Sequence, residues 1–389
     1  MFAPIRKKVK RMLLKTIDNA TVNRKRKWEI KKFKDPRRVP IWSSVTLAQE
    51  QEKAIDKLYL ENYGEKIPYT WHRHFTAYTG KFDVNYFPEL LFIPEFEYYM
   101  NLNRAYVNAF YDKNVLPFFA NRVNVAMPRN VLMGNRGLFC DPDYKCISKE
   151  LALSVLHDIG EVFAKPSVDS SSGRGCVLLD MQNGVDRISG MKAEAVLESL
   201  GQNFVVQERL SCHESIANIY DKSVNTFRII TYRWKDRICH MPAIMRIGQG
   251  GSYLDNAHAG GMFIAIDDDG TLHDTAFTEF KNEFKEHPDT HFKFAGYKIP
   301  LFPEVLKAAY RMHEAIPQIG CVNWDFTINK EGEPVLIEAN MKAGSIWLVE
   351  MAHGCGAFGQ NTAEILQWIR KMKNASTDEY QKYAFGNIE

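Results

Sequence analysis

Seven cysteines (Cys140, Cys146, Cys176, Cys212, Cys239, Cys321 and Cys355) are scattered along the chain, odd in number and without a C-x-x-C pair. That spacing argues against both a disulfide framework and a cysteine-built zinc site, and it fits a reducing compartment. Long apolar runs are missing as well. No stretch approaches the roughly 20 residues that cross a bilayer, and the first residues lack the apolar core of a signal peptide, so a cytoplasmic location is expected. G-x-S-x-G, H-E-x-x-H and a Walker Gly-Lys-Ser/Thr are also lacking, and no cysteine has an evident base partner. These absences agree with a reaction that requires no activated side-chain nucleophile.

What is present is ample for globular cores: 389 residues, 45% hydrophobic and 12% aromatic, enough for two or three domains. The net charge of +3 is unevenly spread. Residues 1–40 hold 15 Lys and Arg against Asp18, Glu29 and Asp35, a balance of +12 that leaves −9 for the rest. Within this arm Ile5, Val9, Leu13 and Ile17 recur every four residues among lysines and arginines, the pattern of a basic amphipathic helix. Such a helix lies on an anionic membrane surface or packs its stripe on the protein's own body. Nucleic acid is not expected as a partner, because the arm is poor in aromatics and no recognised binding motif follows.

Residues 41–110 read as mostly helical, with one helix over Val45–Tyr63 ending at Gly64 and a second over Pro94–Tyr111. His72 and His74 between them have no further ligand at metal-binding spacing, so packing is the better reading. From Asn114 onward short apolar strands alternate with helices and turns, an α/β or α+β body. Ser148 opens a helix running to about Asp158. Glu161–Lys165 makes a strand, Ser170–Gly175 a small-residue loop, and Cys176–Leu179 the next strand. The loop can wrap phosphate oxygens or serve as a plain hairpin turn. Phe204–Leu210 is a further strand, and Asn225–Tyr232 with Ile238–Ile247 forms a hairpin carrying Arg228 and Arg246, whose forks suit phosphate, carboxylate or acidic neighbours.

The segment Cys321–Asn340 reads as another hairpin, turning at Asn329–Glu333. Glu338 and Asn340 alternate onto one face, and closing the hairpin can bring Asp325 across to join them. Two carboxylates and an amide oxygen suit Mg2+; polar residues facing solvent is the competing reading.

Taken in order, Lys113, Lys165, the Ser/Gly loop, an acidic strand end, the two arginines, Gly260-Gly261 and the Asp325/Glu338/Asn340 set resemble the ATP-grasp fold. The likeness is greatest to the sugar-transfer-associated ATP-grasp proteins and more distant to ligases that add glutamate to a ribosomal protein, and it covers about residues 111–355. It implies an α+β chain whose two α+β subdomains clamp ATP, with a mostly helical N-terminal region. The expected division is a basic arm (1–40), a helical domain (41–110), the ATP-grasp domain (111–373) and a tail (374–389).

By this resemblance Lys113 and Lys165 bind phosphates, and Ser171, Ser172, Gly173, Arg174 and Gly175 belong to a mobile loop closing over them. Gln207, Glu208 and Leu210 form the adenine hinge, and Glu214 or His213 binds ribose. Arg246 and Arg228 attend the transferring phosphoryl, and Asn256 lies in the substrate loop. Asp325, Glu338 and Asn340 hold Mg2+, with Mn2+ as an alternative. The implied activity is an ATP-dependent carboxylate-amine ligase working through an acyl-phosphate. It would join an amino acid or other amine to a sugar carboxylate, on small-molecule or glycan substrates, in cell-surface polysaccharide biosynthesis at the inner face of the membrane. The rival readings are a phosphotransferase acting on a sugar or lipid-linked acceptor, and a non-catalytic nucleotide-binding module.

Overall fold

The computed structural model describes residues 3–168 and 173–387, with side chains from residue 13 onward. Its strands form two antiparallel sheets. The first comprises β1 (Asn130–Asn135), β2 (Leu138–Cys140), β3 (Cys146–Ile147), β4 (Gly160–Pro166), β5 (Val177–Gln182), β6 (Val185–Asp186) and β7 (Phe204–Glu208), in the order β3-β2-β1-β7-β4-β5-β6. The second comprises β8 (Thr226–Trp234), β9 (Arg237–His240), β10 (Ala243–Ile247), β11 (Met262–Ile266), β12 (Leu272–Thr278), β13 (Glu283–Phe284), β14 (Cys321–Ile328) and β15 (Pro334–Asn340). Its order is β13-β12-β11-β10-β8-β14-β15, with β9 paired to β8.

Strand β14 explains how polar groups come to face a cleft inside a buried sheet. Val322, Trp324, Phe326 and Ile328 alternate onto one face and join the apolar cluster that includes Phe302, Val305, Ala309 and Met312 of the Phe302–Ala315 helix. Asn323, Asp325 and Thr327 are left on the other face. Pairing to β15 then shifts register: Asp325 opposes Glu338, but Phe326 opposes Leu336. Ile337 is thus an extra residue, a β-bulge, and it moves Glu338 to the side that Asp325 occupies. The two carboxylates expected to meet across the hairpin are direct neighbours.

Several element boundaries differ from the pattern read in the sequence, three of them for reasons visible in the structure. The helix expected over Val45–Tyr63 is Gln49–Asn62, because Ala48 is extended and its N–H is taken by the Gln51 side chain at 2.8 Å. The helix expected over Pro94–Tyr111 is two pieces: a run from Glu89 to Met100 with a π-helical turn over Phe92–Phe96, then Arg104–Phe110. Asn101 interrupts it. Its amide donates to the carbonyls of Cys321 and Met341, both at 2.8 Å, and accepts from Gly320 N and Cys321 N, contacts that local periodicity does not reveal. The strand expected over Ile238–Ile247 is split into β9 and β10 at Met241-Pro242, where proline cannot donate to the ladder. Ser148 caps the Lys149–Leu156 helix as expected, accepting from Leu151 N at 3.3 Å.

The helical segment 41–110 has no core to itself. Tyr59, Phe75, Phe92 and Phe96 share one apolar cluster with Ile230, Tyr232 and Trp234 of β8 and with Trp368 and Ile369 of the Thr362–Asn374 helix. Val22 on the Ala3–Lys32 helix and Phe33 just after it join the same cluster, whereas Leu13, Ile17 and Trp28 are more than half exposed. Ile5 and Val9 of the expected stripe lie outside the described side chains. No helix among the described residues is long and apolar enough to cross a membrane.

Candidate active site

Between the sheets lies a cavity of about 1040 Å3. It is larger than most single small-molecule sites and leaves room for more than one ligand. Lys113, Lys165, Arg228, Arg246, Asp325, Glu338, Asn340 and Asn256 all line it, as do Gly173, Gln207, Glu208 and Leu210.

Cross-strand pairing assembles the polar wall. Arg228 on β8 opposes Asp325 on β14, which opposes Glu338 on β15, so the three form a row on one face. Arg228 grips Asp325 with both branches of its fork, at 2.5 and 3.1 Å, and Arg246 reaches the same carboxylate at 3.2 Å. Arg246 also donates to Thr226 Oγ1 at 3.0 and 2.7 Å and lies 3.4 Å from Asp255. Burying one of these charges alone would cost several kcal/mol, which is why they occur as a hydrogen-bonded set. Burial works against ionisation of Asp325, but Arg228 and Arg246 outweigh it and hold the carboxyl below its ordinary value. For Asp255 burial prevails over Arg246, and its carboxyl is raised. The two acids beside Arg246 are therefore pushed in opposite directions.

The facing wall brings the two ammonium groups. Lys113, held by its backbone N–H to Ser167 O at 3.0 Å, pairs with Glu338 at 3.0 Å. Lys165, near the end of β4, donates to the carbonyl of Ile337 at 3.3 Å, so the bulge that re-aims Glu338 also supplies the acceptor for this lysine. Burial pushes the Lys165 ammonium down to about 8 against the pull of Glu338. Phe163, Leu178 and Ile337 add an apolar surface beside the 207–211 segment. Gln207 turns its amide into the first sheet, onto Asn130 Oδ1 at 2.9 Å and Pro128 O at 3.3 Å, while its backbone lies in β7 between Asn130 of β1 and Phe163 of β4.

The donors of Asp325, Glu338 and Asn340 are hard oxygens, and their chemistry fits Mg2+ or Mn2+. Carboxylate oxygens carry two lone pairs each, so contact with Arg228, Arg246 and Lys113 does not exhaust them. The ordered loop 255–261 flanks this wall. Asn256 accepts from His258 N at 2.9 Å and Gly261 N reaches Asn256 O at 3.0 Å; a Cβ on Gly261 would lie 2.6 Å from Asp255 O, so the loop closes only with glycine there.

Some expected residues fall elsewhere. His213 and Glu214, expected to bind ribose, do not line the cavity. His213 turns back to accept from Ser215 N at 3.2 Å and caps the short Glu214–Ala217 helix, and Glu214 faces solvent. Asp221 and Lys222, not singled out in the sequence, line the wall instead. Of the Ser/Gly loop, Ser171 and Ser172 lie outside the described residues, Gly173 lines the cavity, and Arg174 and Gly175 do not. Tyr111, Tyr253, Trp347 and Lys342 line it without any signal in the sequence, since each is brought there by tertiary packing alone. His72 and His74 are fully buried in the helical core, where burial keeps both imidazoles neutral.

Two facing α+β layers enclosing this charge set define the ATP-grasp class. Residues 95–365 match the family described as sugar-transfer associated ATP-grasp, and the chain belongs to that family. No curated protein matches the chain. Among solved structures it is similar to L-amino acid ligase from Bacillus licheniformis, at 14% identity and a TM-score of 0.38, covering 72% of this chain and 50% of that one. It is also similar to N5-carboxyaminoimidazole synthetase from Staphylococcus aureus complexed with ADP, at 8% identity and a TM-score of 0.38, covering 72% and 52%. A third is carboxyaminoimidazole ribonucleotide synthase from Aspergillus clavatus complexed with ATP, at 9% identity and 0.37, covering 61% and 46%. The chain thus spans about half the length of these structures, and the family match and the local geometry carry the assignment.

Proposed function

We propose that this protein is an ATP- and Mg2+-dependent carboxylate-amine ligase working through an acyl-phosphate. The supporting observation is the convergence of two buried ammonium groups, Lys113 and Lys165, on the row Arg228–Asp325–Glu338 with Arg246 beside it. In this reading the triphosphate lies along Lys113 and Lys165, adenine rests on Phe163, Leu178 and the 207–211 backbone, and Asp325, Glu338 and Asn340 hold the metal. Bound there, Mg2+ would neutralise charge on the β- and γ-phosphates.

A carboxylate oxygen of the acceptor attacks the γ-phosphorus, and the bond to the bridging oxygen breaks to release ADP. An amine nitrogen then attacks the acyl carbon, loses a proton, and inorganic phosphate leaves. Lys165 and Arg246 offset charge on the phosphoryl group in flight, which is positioning and electrostatics rather than side-chain covalent chemistry. Arg228 fixes the Asp325 carboxylate and offers its outer N–H groups to the acceptor.

The acceptor class we infer is a sugar carboxylate, and the amine an amino acid, in assembly of a cell-surface polysaccharide. Residues 1–40 serve as an arm contacting the inner face of the membrane, 41–110 as the helical N-terminal region, 111–373 as the ATP-grasp body and 374–389 as the tail. The arm's role is supported by Leu13, Leu14 and Ile17, which stay exposed among basic residues while Lys15 is tied to the Thr362–Asn374 helix. The test is mass spectrometry of products after incubation with ATP, Mg2+ and pools of uronic acids and amino acids. An amide product, with ADP and phosphate release that depends on the added amine, is expected. A phosphorylated acceptor formed without amine would instead identify a phosphotransferase, and absence of any turnover a nucleotide-binding module.

A further inference from the structure

The cavity continues past the groups needed for ATP and for a reacting carboxylate. Beyond them its wall carries three more cations: Lys342, just after β15, Lys25 on the Ala3–Lys32 helix, and Arg104 at the start of the Arg104–Phe110 helix. They continue a file that starts at the phosphate end. Lys113 and Lys342 sit over the same Tyr111 ring, at 5.6 and 4.4 Å from its centre, and Lys25 and Arg104 share the Tyr98 ring, at 5.4 and 4.6 Å. Glu97 joins the two halves, since it accepts from Ala343 N and Gly344 N, both at 2.7 Å, and lies within electrostatic reach of Lys25.

Around Lys25 the nearby acids are engaged by other groups. The Lys25 ammonium is half-buried and makes no hydrogen bond or ion pair among the described residues. Of the nearby acids, Asp18 accepts from the Tyr98 hydroxyl, Glu29 is engaged by Lys32 at 2.9 Å, and Glu97 is buried, committed to two backbone N–H groups and raised toward its neutral form by that burial. Cationic side chains clustered on a cavity wall concentrate anions.

We propose that Lys25, Arg104 and Lys342 form an anion subsite for a phosphoryl or pyrophosphoryl group carried by the acceptor. The acceptor is then a phosphate-linked sugar rather than a free one. This rests on the reading of the cavity as an ATP and acceptor site. The phosphate has two possible sources, a soluble nucleoside diphosphate or a lipid-borne phosphate at the membrane surface, and Lys25 lies on the same helix as the exposed stripe Leu13, Leu14 and Ile17.

The experiment uses the full chain saturated with AMP-PNP and Mg2+, so that the γ-phosphate position is filled. Inorganic pyrophosphate is titrated into it by calorimetry. One-to-one binding is expected, weakened about tenfold or more by Lys25→Glu and by Arg104→Glu and unchanged by Lys57→Glu, an exposed charge reversal on the Gln49–Asn62 helix that neither lines the cavity nor belongs to the basic arm. Two further arms identify the source: UDP in solution, and phosphatidylcholine vesicles containing about one fifth phosphatidic acid. The arm that binds, and that loses binding in the Lys25 and Arg104 variants but not in the Lys57 variant, names it. No pyrophosphate binding to wild type, or equal binding by wild type and both cavity variants, overturns the subsite. Failure of wild type to bind AMP-PNP overturns the reading of the cavity instead, and AMP-PNP binding by each variant certifies its fold.

Discussion

In the proposed nucleotide site, Lys165 is expected to make affinity depend on pH in a direction fixed by its surroundings. With its ammonium pushed down to about 8, the nucleotide-free protein holds the charged form for about nine molecules in ten at pH 7 and about three in a hundred at pH 9.5. A triphosphate or diphosphate selects the charged form, so affinity for ADP with Mg2+ falls about 30-fold over that range. Stability moves the other way. The folded value lies below the 10.5 of a free lysine, so between about 8 and 10.5 the unfolded chain retains a proton that the folded chain has released. The nucleotide-free protein therefore gains stability from this residue as pH rises through that window. Calorimetric titration of ADP at a series of pH values, with thermal unfolding of the same samples, measures both slopes. Lys165→Arg keeps its charge throughout and flattens the affinity profile; Lys165→Gln flattens it at the weak end. A wild-type affinity that does not change between pH 7 and 9.5 would refute the placement of phosphate beside this ammonium.

Glu338→Ala is expected to lower Mg2+-dependent ATP turnover by about 100-fold or more while the protein still unfolds cooperatively, measured by ADP release and calorimetry; full activity would remove Glu338 from the site. Gly344→Ala places a Cβ 2.0 Å from Asn323 Nδ2 and 2.9 Å from Glu97 Oε1, so about 2 kcal/mol of stability is lost and the melting temperature falls. Lys15 caps the end of the Thr362–Asn374 helix, donating to Lys373 O at 2.8 Å and Ala375 O at 2.6 Å. Lys15→Ala costs about 1 kcal/mol and makes the N-terminal helix a faster target for limited proteolysis.

The hairpin carrying Asp325, Glu338 and Asn340 was legible because turn residues and strand alternation are local signals, and the two lysines because their order along the chain matched a known arrangement. The bulge at Ile337 was not, since a single extra residue leaves no mark on hydrophobic periodicity; it shows only in how β15 pairs with β14. The break at Asn101 was missed for a related reason: its four hydrogen bonds go to residues more than 200 positions away. His213 and Glu214 follow β7 at a plausible distance for a ribose contact, but which loop faces the cleft is decided by the packing of the short helix that His213 caps. The basic stripe of the arm was read correctly as helical, and its exposed side could not be separated from its packed side without the partner surface of Val22 and Phe33.

The single inserted position in β15 makes the last hairpin sensitive to length more than to residue type. Trimming one residue from it would rotate the second carboxylate onto the apolar side and deprive the β4 amine of its backbone anchor in the same stroke. Conservative replacement of Ile337 itself, which leaves the count intact, should pass almost unnoticed.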